Sequence, residues 1–482
     1  MTFPAELHVP SEVIGIAQRL EAAGYETWCV GGAVRDALLG HAHLDWDLAT
    51  SARPEVVRRL FKRTIPVGIE FGTIGVLDRN NIMHEVTTFR KDVKTDGRHA
   101  VVEFGVSLDD DLARRDFTIN AIAFDPATGE LRDPFDGRTD LKRGIVRAVG
   151  VASDRMREDR LRALRAIRFA ARFGFNIEPG TLKAIRESAP QMTRLSAERV
   201  KQELEKTMQQ VPRPSVAMEW WRETGALAVL VPPIAAAPAA RFRALDFLPM
   251  GSPEVGTADP DAGGQAPPAI DAKGAVLDRL AMLFFGEAPK AVDSALRALR
   301  FSNADAGWIG AIAKARAEIG TEMDAELVRW VGEGSGAGEG SGVGEGSGVG
   351  EGVRSEGLEP ARIRRWVAAI GRTRTASFCR LTSALHLAQA AKPDAATGGW
   401  TTGAGIRERL DAFVAKAVVI AYRDPIEIAD LAVDGEDLRA AGVPDGPEMG
   451  RILKALLELV IANPAANTTA GLTDAARAMR TT

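Results

Sequence analysis

The sequence is poor in the residues that form disulfides and many metal sites. Its 482 residues include only two cysteines, Cys29 and Cys379. This number excludes a disulfide framework and every metal site built from several cysteines. The six histidines form no pair at a metal-ligand spacing. The composition therefore gives no support for a disulfide-stabilised protein or for a cysteine-based zinc protein.

Long apolar runs are also missing. No stretch reaches the length needed to cross a bilayer, and the opening residues MTFPAELHVP show neither the basic nor the apolar region of a signal peptide. Apolar residues make up 45% and charged residues 26% of the chain, close to the globular average. We therefore expect a cytoplasmic protein that does not associate with membranes.

The charge is uneven along the chain. The formal net charge of −4 says little about partners, but residues 154–206 carry 13 Lys or Arg against 8 Asp or Glu. This local excess could face phosphate groups. The alternative is an ordinary solvated helix surface, and the charge count alone does not decide between the two.

The length predicts at least two domains, because one hydrophobic core rarely grows this large. Residues 1–150 have an α+β pattern that begins with an amphipathic helix, SEVIGIAQRLEAAG, for which Ser11 is the expected N-cap. Short β-branched and aromatic runs follow, separated by turn residues. The strands expected in one sheet are ETWCV, DWDLAT, FGTIGVL, HEVTTFR and FTINAIAF.

From about residue 151 the pattern becomes helical. Apolar residues recur at helical spacing in residues 157–173, 179–189 and 196–208. Two stretches interrupt the pattern, a Pro/Gly/Asp-rich loop at 251–268 and a Gly-Glu-Ser repeat at 331–352. Gly at every second position of the repeat leaves little that can pack, so we expect a flexible insertion without chemistry.

Two glycines mark a candidate phosphate-binding turn. In CVGGAVRDALLG, Gly31 and Gly32 join an expected strand to an expected helix, where missing side chains allow a ligand to approach backbone N–H groups. Arg35 would lie in the first helical turn and could bind the same phosphates. A Gly-Gly turn is more often purely structural, so the pattern alone leaves both alternatives open.

A pair of aspartates follows in LDWDLAT. Asp45 and Asp47 are two residues apart on an expected strand and would point to the same face. Such convergent carboxylates suit a pair of Mg²⁺ ions, although acids can also simply protect an exposed strand edge. Glu85, in the apolar run HEVTTFR, could be a third carboxylate on a neighbouring strand or a plain surface acid.

One expected helix, residues 158–173, combines charged and apolar faces. Leu164, Ile167 and Ala171 provide an apolar side. The charged positions recur at every third residue, and they are Asp159, Arg162, Arg165 and Arg168. The first three of them can share one face of the helix. Taken alone, this spacing favours the alternative of an intrahelical Asp–Arg ion pair.

Five motifs in a fixed order carry a family resemblance. They are GGAVRD, DWD, EVTTFR, RRDFTINA at 114–121 and REDRLRALRAIRF at 157–169. Over roughly residues 25–206 the chain resembles the class II tRNA nucleotidyltransferase and bacterial poly(A) polymerase family. The resemblance implies an α+β polymerase-beta-like nucleotidyltransferase head at 1–150, followed by an all-α C-terminal region. That region would comprise a neck at 151–215 that recognises the base, and a body and tail at 216–482 that bind tRNA.

The resemblance also implies roles for individual residues. Asp45 and Asp47 would bind Mg²⁺, with Glu85 as a further catalytic carboxylate. Asp116 would meet the ribose. The residues expected to contact the nucleotide, chiefly its phosphates, are Gly32, Arg35 and Arg115. The helix residues expected to line the nucleotide site are Asp159, Arg162, Arg165 and Arg168.

The expected reaction is template-independent addition of CMP, CMP and AMP to a tRNA 3′ end, with CTP and ATP as substrates and no protein partner. The segment from FGTIGVL onward resembles the CCA-adding type and lacks the basic GRRF-type run of bacterial poly(A) polymerases. Residues 91–99 resemble a flexible loop of enzymes that add the final A. A poly(A) polymerase and an A-adding enzyme remain alternatives. A non-catalytic tRNA-binding protein is a remote one, because both aspartates of the DWD motif are present.

Asp159 and Arg162 are expected to choose the base. Cytosine and adenine each present an amino donor beside a ring-nitrogen acceptor, whereas uracil and guanine present the opposite pattern. A carboxylate only accepts hydrogen bonds and a guanidinium only donates them. An Asp–Arg pair therefore satisfies C and A, and it leaves unpaired groups against U and G.

Overall fold

The computed structural model describes residues 3–4, 6–41, 45–95, 100–250, 270–332, 358–394 and 399–480. Within it the chain forms two compact units, Met1–Pro232 and Pro233–Thr482. The loop expected at 251–268 and the repeat from residue 333 onward lie outside the described residues, as do residues 96–99 of the expected flexible loop.

A mixed β-sheet forms the centre of the first unit. Its strand order is β3-β4-β5-β2-β1-β8-β9, and within it only β2 and β5 pair in parallel. The strands of this unit are β1 (Thr27–Val30), β2 (Asp47–Thr50), β3 (Thr64–Gly68), β4 (Thr73–Leu77), β5 (Met83–Thr88), β6 (Arg90–Thr95), β7 (Ala100–Phe104), β8 (Ala123–Phe124), β9 (Leu131–Arg132), β10 (Ile145–Val146) and β11 (Asn176–Ile177). The single sheet expected from the sequence is confirmed.

Helices cover this sheet and continue beyond it. Those of the first unit are α1 (Ser11–Ala22), α2 (Gly32–Leu38), α3 (Pro54–Leu60), α4 (Leu108–Ala113), α5 (Gly137–Arg143), α6 (Ala152–Glu158), α7 (Leu161–Phe173), α8 (Pro179–Ser188), α9 (Ala197–Gln210), α10 (Pro214–Glu223) and α11 (Ala226–Leu230). The helix expected at the start is present, but Pro10 and not Ser11 occupies its N-cap position. Ser11 Oγ instead donates to Glu12 Oε2 at 2.9 Å.

The strand expected over FTINAIAF is mostly wrong. Only Ala123–Phe124 forms a strand, whereas Phe117 makes an isolated antiparallel bridge with Ala148 and Thr118–Asn120 forms a 3₁₀ turn. Thr118 Oγ1 donates to Asp140 Oδ2 at 2.7 Å, so its side chain is directed away from the sheet. A Cβ on Gly137 would lie 2.2 Å from the Thr118 carbonyl oxygen, so α5 approaches this turn closely. The turn is thus fixed by partners distant in sequence.

The apolar core beneath the sheet joins strands to α4. Its buried residues are Val30, Ala49, Phe89, Leu108, Leu112, Ala121, Ala123 and Val149. These positions come from β1, β2, the chain after β5, α4, β8 with the chain just before it, and the chain after β10. Burial of apolar area is the main favourable contribution to folding, so this core holds β1 and β2 in the places from which the candidate site extends.

In the described part of the second unit, the regular elements are helices apart from two strands of two residues each. Its elements are α12 (Ala239–Ala244), α13 (Ala272–Phe284), α14 (Pro289–Ala298), α15 (Asn303–Gly332), α16 (Pro360–Ile370), α17 (Thr375–Ala390), β12 (Lys392–Pro393), β13 (Trp400–Thr401), α18 (Ala404–Arg423), α19 (Gly435–Ala440), α20 (Pro447–Ala462) and α21 (Thr469–Arg480). A cluster including Leu438, Leu456 and Leu472 packs the last three helices together. None of the helices in the described ranges has the length and apolar character needed to span a membrane.

Candidate active site

The turn between β1 and α2 requires glycine. Gly31 has φ 78° and ψ −134°, a conformation that side chains with a Cβ rarely adopt. A Cβ at this position would lie 3.0 Å from Arg115 Nη1 and 4.0 Å from Asp47 Oδ2. The turn therefore brings bare backbone beside a guanidinium and a carboxylate. Gly32 follows as the first residue of α2.

Three carboxylates lie around the start of β2. The strand begins at Asp47, so the expectation that Asp45 is also on it is wrong, but the alternation holds. Asp45 is exposed, Trp46 is buried and Asp47 is half-buried. Glu85 lies on β5, which pairs in parallel with β2. The three acids therefore come from the start of one strand and from its neighbour.

The charges of these acids affect one another. Burial and the negative charges of Asp45 and Glu85 raise the pKa of Asp47 to about 7. The nearby Arg115 guanidinium opposes this increase. Burial and the charge of Asp45 also raise the pKa of Glu85. A bound cation relieves repulsion of this kind.

The donor chemistry fits a divalent ion such as Mg²⁺. Carboxylate oxygens are hard ligands, and Mg²⁺ is commonly held by one or two carboxylates, with water and substrate phosphates completing the coordination. Within the described ranges no three Asp, Glu, His or Cys side chains converge to form a complete site. The hard carboxylate oxygens of Asp45 and Asp47 suit an ion that shares its coordination with a substrate.

A cavity of about 430 Å³ opens beside Asp47. Its lining residues are Gly31, Gly32, Arg35, Asp47, Arg114, Arg115, Asp116, Asn120, Asp159, Leu161, Arg162, Arg165, Phe169 and Arg199. Most of the residues expected at the nucleotide site are thus brought together. Asp45, Glu85 and Arg168 are not among the lining residues.

Asp111 anchors two arginines of the cavity. The carboxylate is only 1% exposed, and Arg114 and Arg115 donate to it at 2.9 Å and 3.1 Å. Burial alone would raise the pKa of Asp111, but the two guanidinium groups outweigh this effect and lower it. Asp111 therefore stays charged and holds both arginines in place.

Asp116 is the centre of a second polar group. Arg165 Nε donates to its Oδ2 at 2.8 Å, and Asn120 Nδ2 donates to its Oδ1 at 2.9 Å. Burial acts to raise the pKa of Asp116, but Arg165 and Asn120 together lower it. Asp116 and Arg165, which lie 49 residues apart, thus form one paired element of the cavity wall.

The helix expected over residues 158–173 is broken. α6 ends at Glu158, Asp159 has an extended backbone with φ −149° and ψ 106°, and α7 begins only at Leu161. Asp159 Oδ1 accepts a hydrogen bond from the Leu161 backbone N–H at 3.0 Å and so caps the new helix start. The expectation that Asp159 shares a helical face with Arg162 is therefore wrong.

Asp159 and Arg162 nevertheless both line the cavity. Asp159 Oδ2 accepts a hydrogen bond from Arg199 Nη2 at 2.6 Å. Arg162 Nη1 donates to Glu158 Oε2 at 2.6 Å, and its Nη2 donates to the Arg114 carbonyl at 3.2 Å. The intrahelical Asp159–Arg162 ion pair considered as an alternative is not formed.

Arg35 is held mainly by other protein groups. It is only 3% exposed, and its Nε donates to Asp36 Oδ1 at 2.8 Å. Its Nη1 donates to Asn120 Oδ1 at 2.6 Å, and the guanidinium lies 4.9 Å from the ring centres of Phe169 and Phe173. Arg35 thus forms part of the cavity wall, and direct contact with phosphate stays a prediction.

Arg168 lies behind the cavity wall. It is buried, pairs with Glu203, and donates through Nη1 to Gln210 Oε1 at 3.0 Å. Its guanidinium also lies 4.4 Å from the ring centre of Phe169, which does line the cavity. The structure therefore gives Arg168 a supporting position and does not bring it to the lining.

Several neighbours of the site were not singled out from the sequence. They include Arg114, Asn120, Glu158, Phe169 and Arg199. The first four lie inside the motifs RRDFTINA and REDRLRALRAIRF, so a fuller use of those motifs could have found them. Arg199 lies outside every motif, and only the basic excess of residues 154–206 includes it.

Comparison with known proteins identifies two regions of the chain. Residues 27–147 match the poly A polymerase head domain, and residues 174–237 match the family described as "Probable RNA and SrmB-binding site of polymerase A". The CCA-adding enzyme of Lactiplantibacillus plantarum is 48% identical over 207 residues, which cover 42% of this chain and 50% of that protein. The match thus spans about half the length of the curated relatives.

Solved structures extend the similarity to nearly the whole chain. The Thermotoga maritima CCA-adding enzyme complexed with tRNA shows the same fold, with 18% identity, coverage of 99% and 100%, and a TM-score of 0.61. The Bacillus stearothermophilus CCA-adding enzyme in complex with CTP is 30% identical, with coverage of 98% of both chains and a TM-score of 0.67. The expected polymerase-beta-like head followed by a helical region is confirmed. This chain therefore belongs to the family of CCA-adding enzymes, the class II tRNA nucleotidyltransferases that share the poly(A) polymerase head domain.

Proposed function

We propose that this chain adds CMP, CMP and AMP in turn to the 3′ end of tRNA, with CTP and ATP as substrates and pyrophosphate as the second product. One observation carries the proposal: Asp47 lines the same cavity as Asp159 and Arg162. Asp47 belongs to the acidic cluster, which we define as Asp45, Asp47 and Glu85. Groups suited to phosphate chemistry and groups suited to reading a base edge therefore face one ligand-sized space. The CTP bound to the Bacillus stearothermophilus relative supports this assignment.

The proposal divides the chain by task. Residues 1–150 form the catalytic head, residues 151–215 form the neck that reads the base, and residues 216–482 form the body and tail that bind tRNA. The protein acts in the cytoplasm without a protein partner. The tRNA bound to the Thermotoga maritima relative, whose fold is the same, supports tRNA as the partner.

Membership of this family implies a divalent metal, and we assign Mg²⁺ to Asp45 and Asp47 because their oxygens are hard donors. Held there, a divalent metal would supply activation of the attacking 3′-hydroxyl and neutralisation of the charge on the departing pyrophosphate. Burial, followed by the negative charges of Asp45 and Glu85, raises the pKa of Asp47 to about 7, and bound cations would offset the part that these charges contribute. Glu85 adds to this charge from the neighbouring strand.

The remaining residues position the nucleotide. Arg115 Nη1 lies against the backbone of the Gly31 turn and close to Asp47, so it can meet phosphate oxygens there. Asp111 fixes Arg115 at 3.1 Å and thereby limits its freedom before the substrate arrives. Asp116 is similarly fixed by Arg165 and Asn120, and it is the residue we assign to the ribose.

Base choice depends on the hydrogen-bonding capacity left on Asp159 and Arg162. Each oxygen of Asp159 accepts one hydrogen bond within the protein, and each retains a second lone pair. A carboxylate can therefore still accept from the amino group of cytosine or adenine, while a guanidinium donates to the ring nitrogen. Uracil and guanine would oppose a carbonyl to the carboxylate and an N–H to the guanidinium, and unpaired buried groups are costly.

The direct test supplies each labelled nucleoside triphosphate singly to the purified full chain, with tRNAs that lack CCA or end in C or CC. We expect CTP to be added to the first two RNAs and ATP only to the RNA ending in CC, with UTP and GTP rejected. The matched control is Asp47→Asn, which should bind the same RNAs and add nothing.

Other outcomes identify the alternatives. A long run of A residues on any RNA would indicate a poly(A) polymerase. Addition of ATP to RNA ending in CC, with no use of CTP, would indicate an A-adding enzyme. Binding of tRNA by the wild-type protein without any incorporation would contradict a catalytic role.

A further inference from the structure

A second polar cavity lies in the first unit, apart from the nucleotide cavity. Its volume is about 320 Å³, and it opens between α6, α8 and the 3₁₀ segment Ala189–Arg194. The polar residues that carry the inference are Arg157, Arg160, Ser188, Gln191 and Arg194. No residue lines both cavities.

Positive charge is concentrated in this cavity. Burial, followed by the charges of Arg194 and Arg157, lowers the pKa of Arg160. Arg157 Nη1 forms an ion pair with Asp154 Oδ1 at 2.7 Å. Arg194 has no ion pair or side-chain hydrogen bond among the residues that the structure describes. The lining also includes Glu187, which is exposed and lies 3.9 Å from Lys183. The lining arginines therefore outnumber the single acid.

Two buried polar atoms in the cavity have no hydrogen-bond partner among the residues that the structure describes. Ser188 is only 8% exposed, and its Oγ makes no hydrogen bond. Arg160 Nε is likewise buried without an acceptor, although the rest of its guanidinium bonds to Gln191 and to the Arg157 carbonyl. Buried polar atoms are nearly always satisfied, so a pair of unused donors in one cavity points to an acceptor from outside the chain.

We propose that this cavity binds one phosphodiester group of the tRNA, as a docking site separate from the nucleotide cavity. Guanidinium groups and a hydroxyl are donors that match phosphate oxygens, whereas the apolar lining, Met156 and Ala184, is too small to hold a base. Arg157 and Arg194 are exposed, so an RNA strand can pass across the opening. The proposal rests on the proposed function, because it takes tRNA as the substrate.

The position of the cavity fits this use. Ser188, Gln191 and Arg194 fall within residues 174–237, the part of the chain that matches the RNA-binding family. Arg160 directly follows Asp159 in the break between α6 and α7, so this break contributes to both cavities. Variants of Arg160 would therefore disturb base selection as well, and Arg194 and Ser188 are the better positions for a test.

The experiment measures the equilibrium affinity of the full chain for tRNA lacking CCA, without nucleotide, over a series of salt concentrations. Arg194→Gln should weaken binding roughly tenfold and make the salt dependence shallower by about one counterion. Ser188→Ala should weaken binding by about threefold without lowering the melting temperature, because the hydroxyl has no partner to lose.

The matched control is Arg186→Gln. Arg186 is an exposed arginine on α8, the helix that also carries Ser188, and it does not line the cavity. This variant removes the same charge and should stay within about twofold of the wild-type affinity, because a surface charge with no bound phosphate contributes little. All three variants should bind CTP as the wild type does.

The tRNA affinities of the wild type and the variants show whether this inference, the proposed function or both are wrong. Unchanged tRNA affinity of Arg194→Gln and Ser188→Ala, with a wild type that does bind tRNA, would overturn this inference and leave the proposed function intact. A wild type that binds no tRNA would overturn both. If inorganic phosphate raised the melting temperature of the wild type but not of Arg194→Gln, while tRNA affinity was the same, the cavity would be a site for free phosphate and the RNA assignment would be wrong.

Discussion

The side chain that donates a hydrogen bond to Asp159 is Arg199, with 2.6 Å between Arg199 Nη2 and Asp159 Oδ2, and not Arg162 three residues away. Arg162 is held instead by Glu158, also at 2.6 Å. The carboxylate and the guanidinium that we assign to the base edge are therefore each held by a different charged partner. In this arrangement the two groups are positioned in advance and do not neutralise each other.

Arg199 should therefore affect base selection although no motif contains it. Replacing Arg199 by Ala removes the donor that orients Asp159, and we expect the preference for CTP over UTP to fall by about tenfold. The measurement is the ratio of kcat/KM for the two nucleotides on tRNA lacking CCA. Arg199→Lys should keep part of the preference, and Arg186→Gln, which removes a charge elsewhere, should keep all of it. An unchanged ratio in Arg199→Ala would contradict the orienting role.

The acidic cluster should be needed for chemistry and not for RNA binding. We expect Asp45→Asn and Asp47→Asn to abolish nucleotide addition, because each removes a charged oxygen donor for the metal. Binding of tRNA should be nearly unchanged in both, since most of its contacts are assigned to the helical part. Glu85→Gln should be milder than either. Incorporation at the wild-type rate by Asp45→Asn or Asp47→Asn would contradict the metal assignment.

Removal of metal should expose the repulsion within the acidic cluster. The pKa of Asp47 in the folded protein is about 7, above its usual value of 3.8. In the absence of metal, the stability that the protonated Asp47 carboxyl provides is therefore lost as the pH rises from 3.8 through about 7. At pH 8 in EDTA, Asp47→Asn should melt about 2–4 °C above the wild type. Added Mg²⁺ should raise the melting temperature of the wild type and leave that of Asp47→Asn nearly unchanged. A wild type that melts higher than Asp47→Asn in EDTA would contradict this.

A polar cluster in the second unit should make the free energy of unfolding depend on pH in the acid range. Asp324 accepts hydrogen bonds from Arg316 at 2.8 Å and from His386 at 3.1 Å. Burial alone would raise the pKa of Asp324, but these two partners lower it from 3.8 to about 2. The contribution of this carboxylate to stability is therefore present above pH 4 and is lost as pH falls toward 2.

Substitution of Asp324 tests this dependence. Asp324→Asn should lower the free energy of unfolding at pH 7 by about 1–2 kcal/mol, after allowance for partial exposure. The difference from the wild type should shrink steadily as the pH is lowered from 5 to 3. The measurement is urea unfolding at each pH, with Asp293→Asn, an exposed surface aspartate, as the control. A difference that does not depend on pH would contradict the assigned role.

Local sequence patterns predicted the α+β character of residues 1–150 and the strands beside the acids, whereas the polymerase-beta-like head was implied only by the family resemblance. In HEVTTFR, buried and less buried residues alternate along β5, so Glu85 lies on the opposite face of the strand from His84, which is buried. β2 shows no such alternation, because Leu48, Ala49 and Thr50 are all buried. β3 was not predicted, because Pro66 in Thr64–Gly68 argues against an interior strand. The structure places β3 at the end of the sheet, where proline is tolerated.

The partners of the site residues could not be predicted in the same way. Helical spacing suggested one helix through Asp159, but a capping hydrogen bond to Leu161 and the contact with Arg199 stabilise a break instead. Arg199 is 40 residues from Asp159, so no local pattern relates them. Tertiary contacts of this kind override local propensity, and only the folded chain reveals them.

The most direct test of base selection by the protein itself compares CTP with UTP in Asp159→Ala and Arg162→Ala. Two mispaired polar groups give discrimination on the order of 10³-fold in the wild type. Each variant should lose at least about tenfold of that preference and also add CTP more slowly, while Mg²⁺ still raises its melting temperature. If both variants kept the wild-type preference for CTP over UTP on tRNA lacking CCA, the base would have to be chosen elsewhere in the cavity, and the roles given to Asp159 and Arg162 would be wrong.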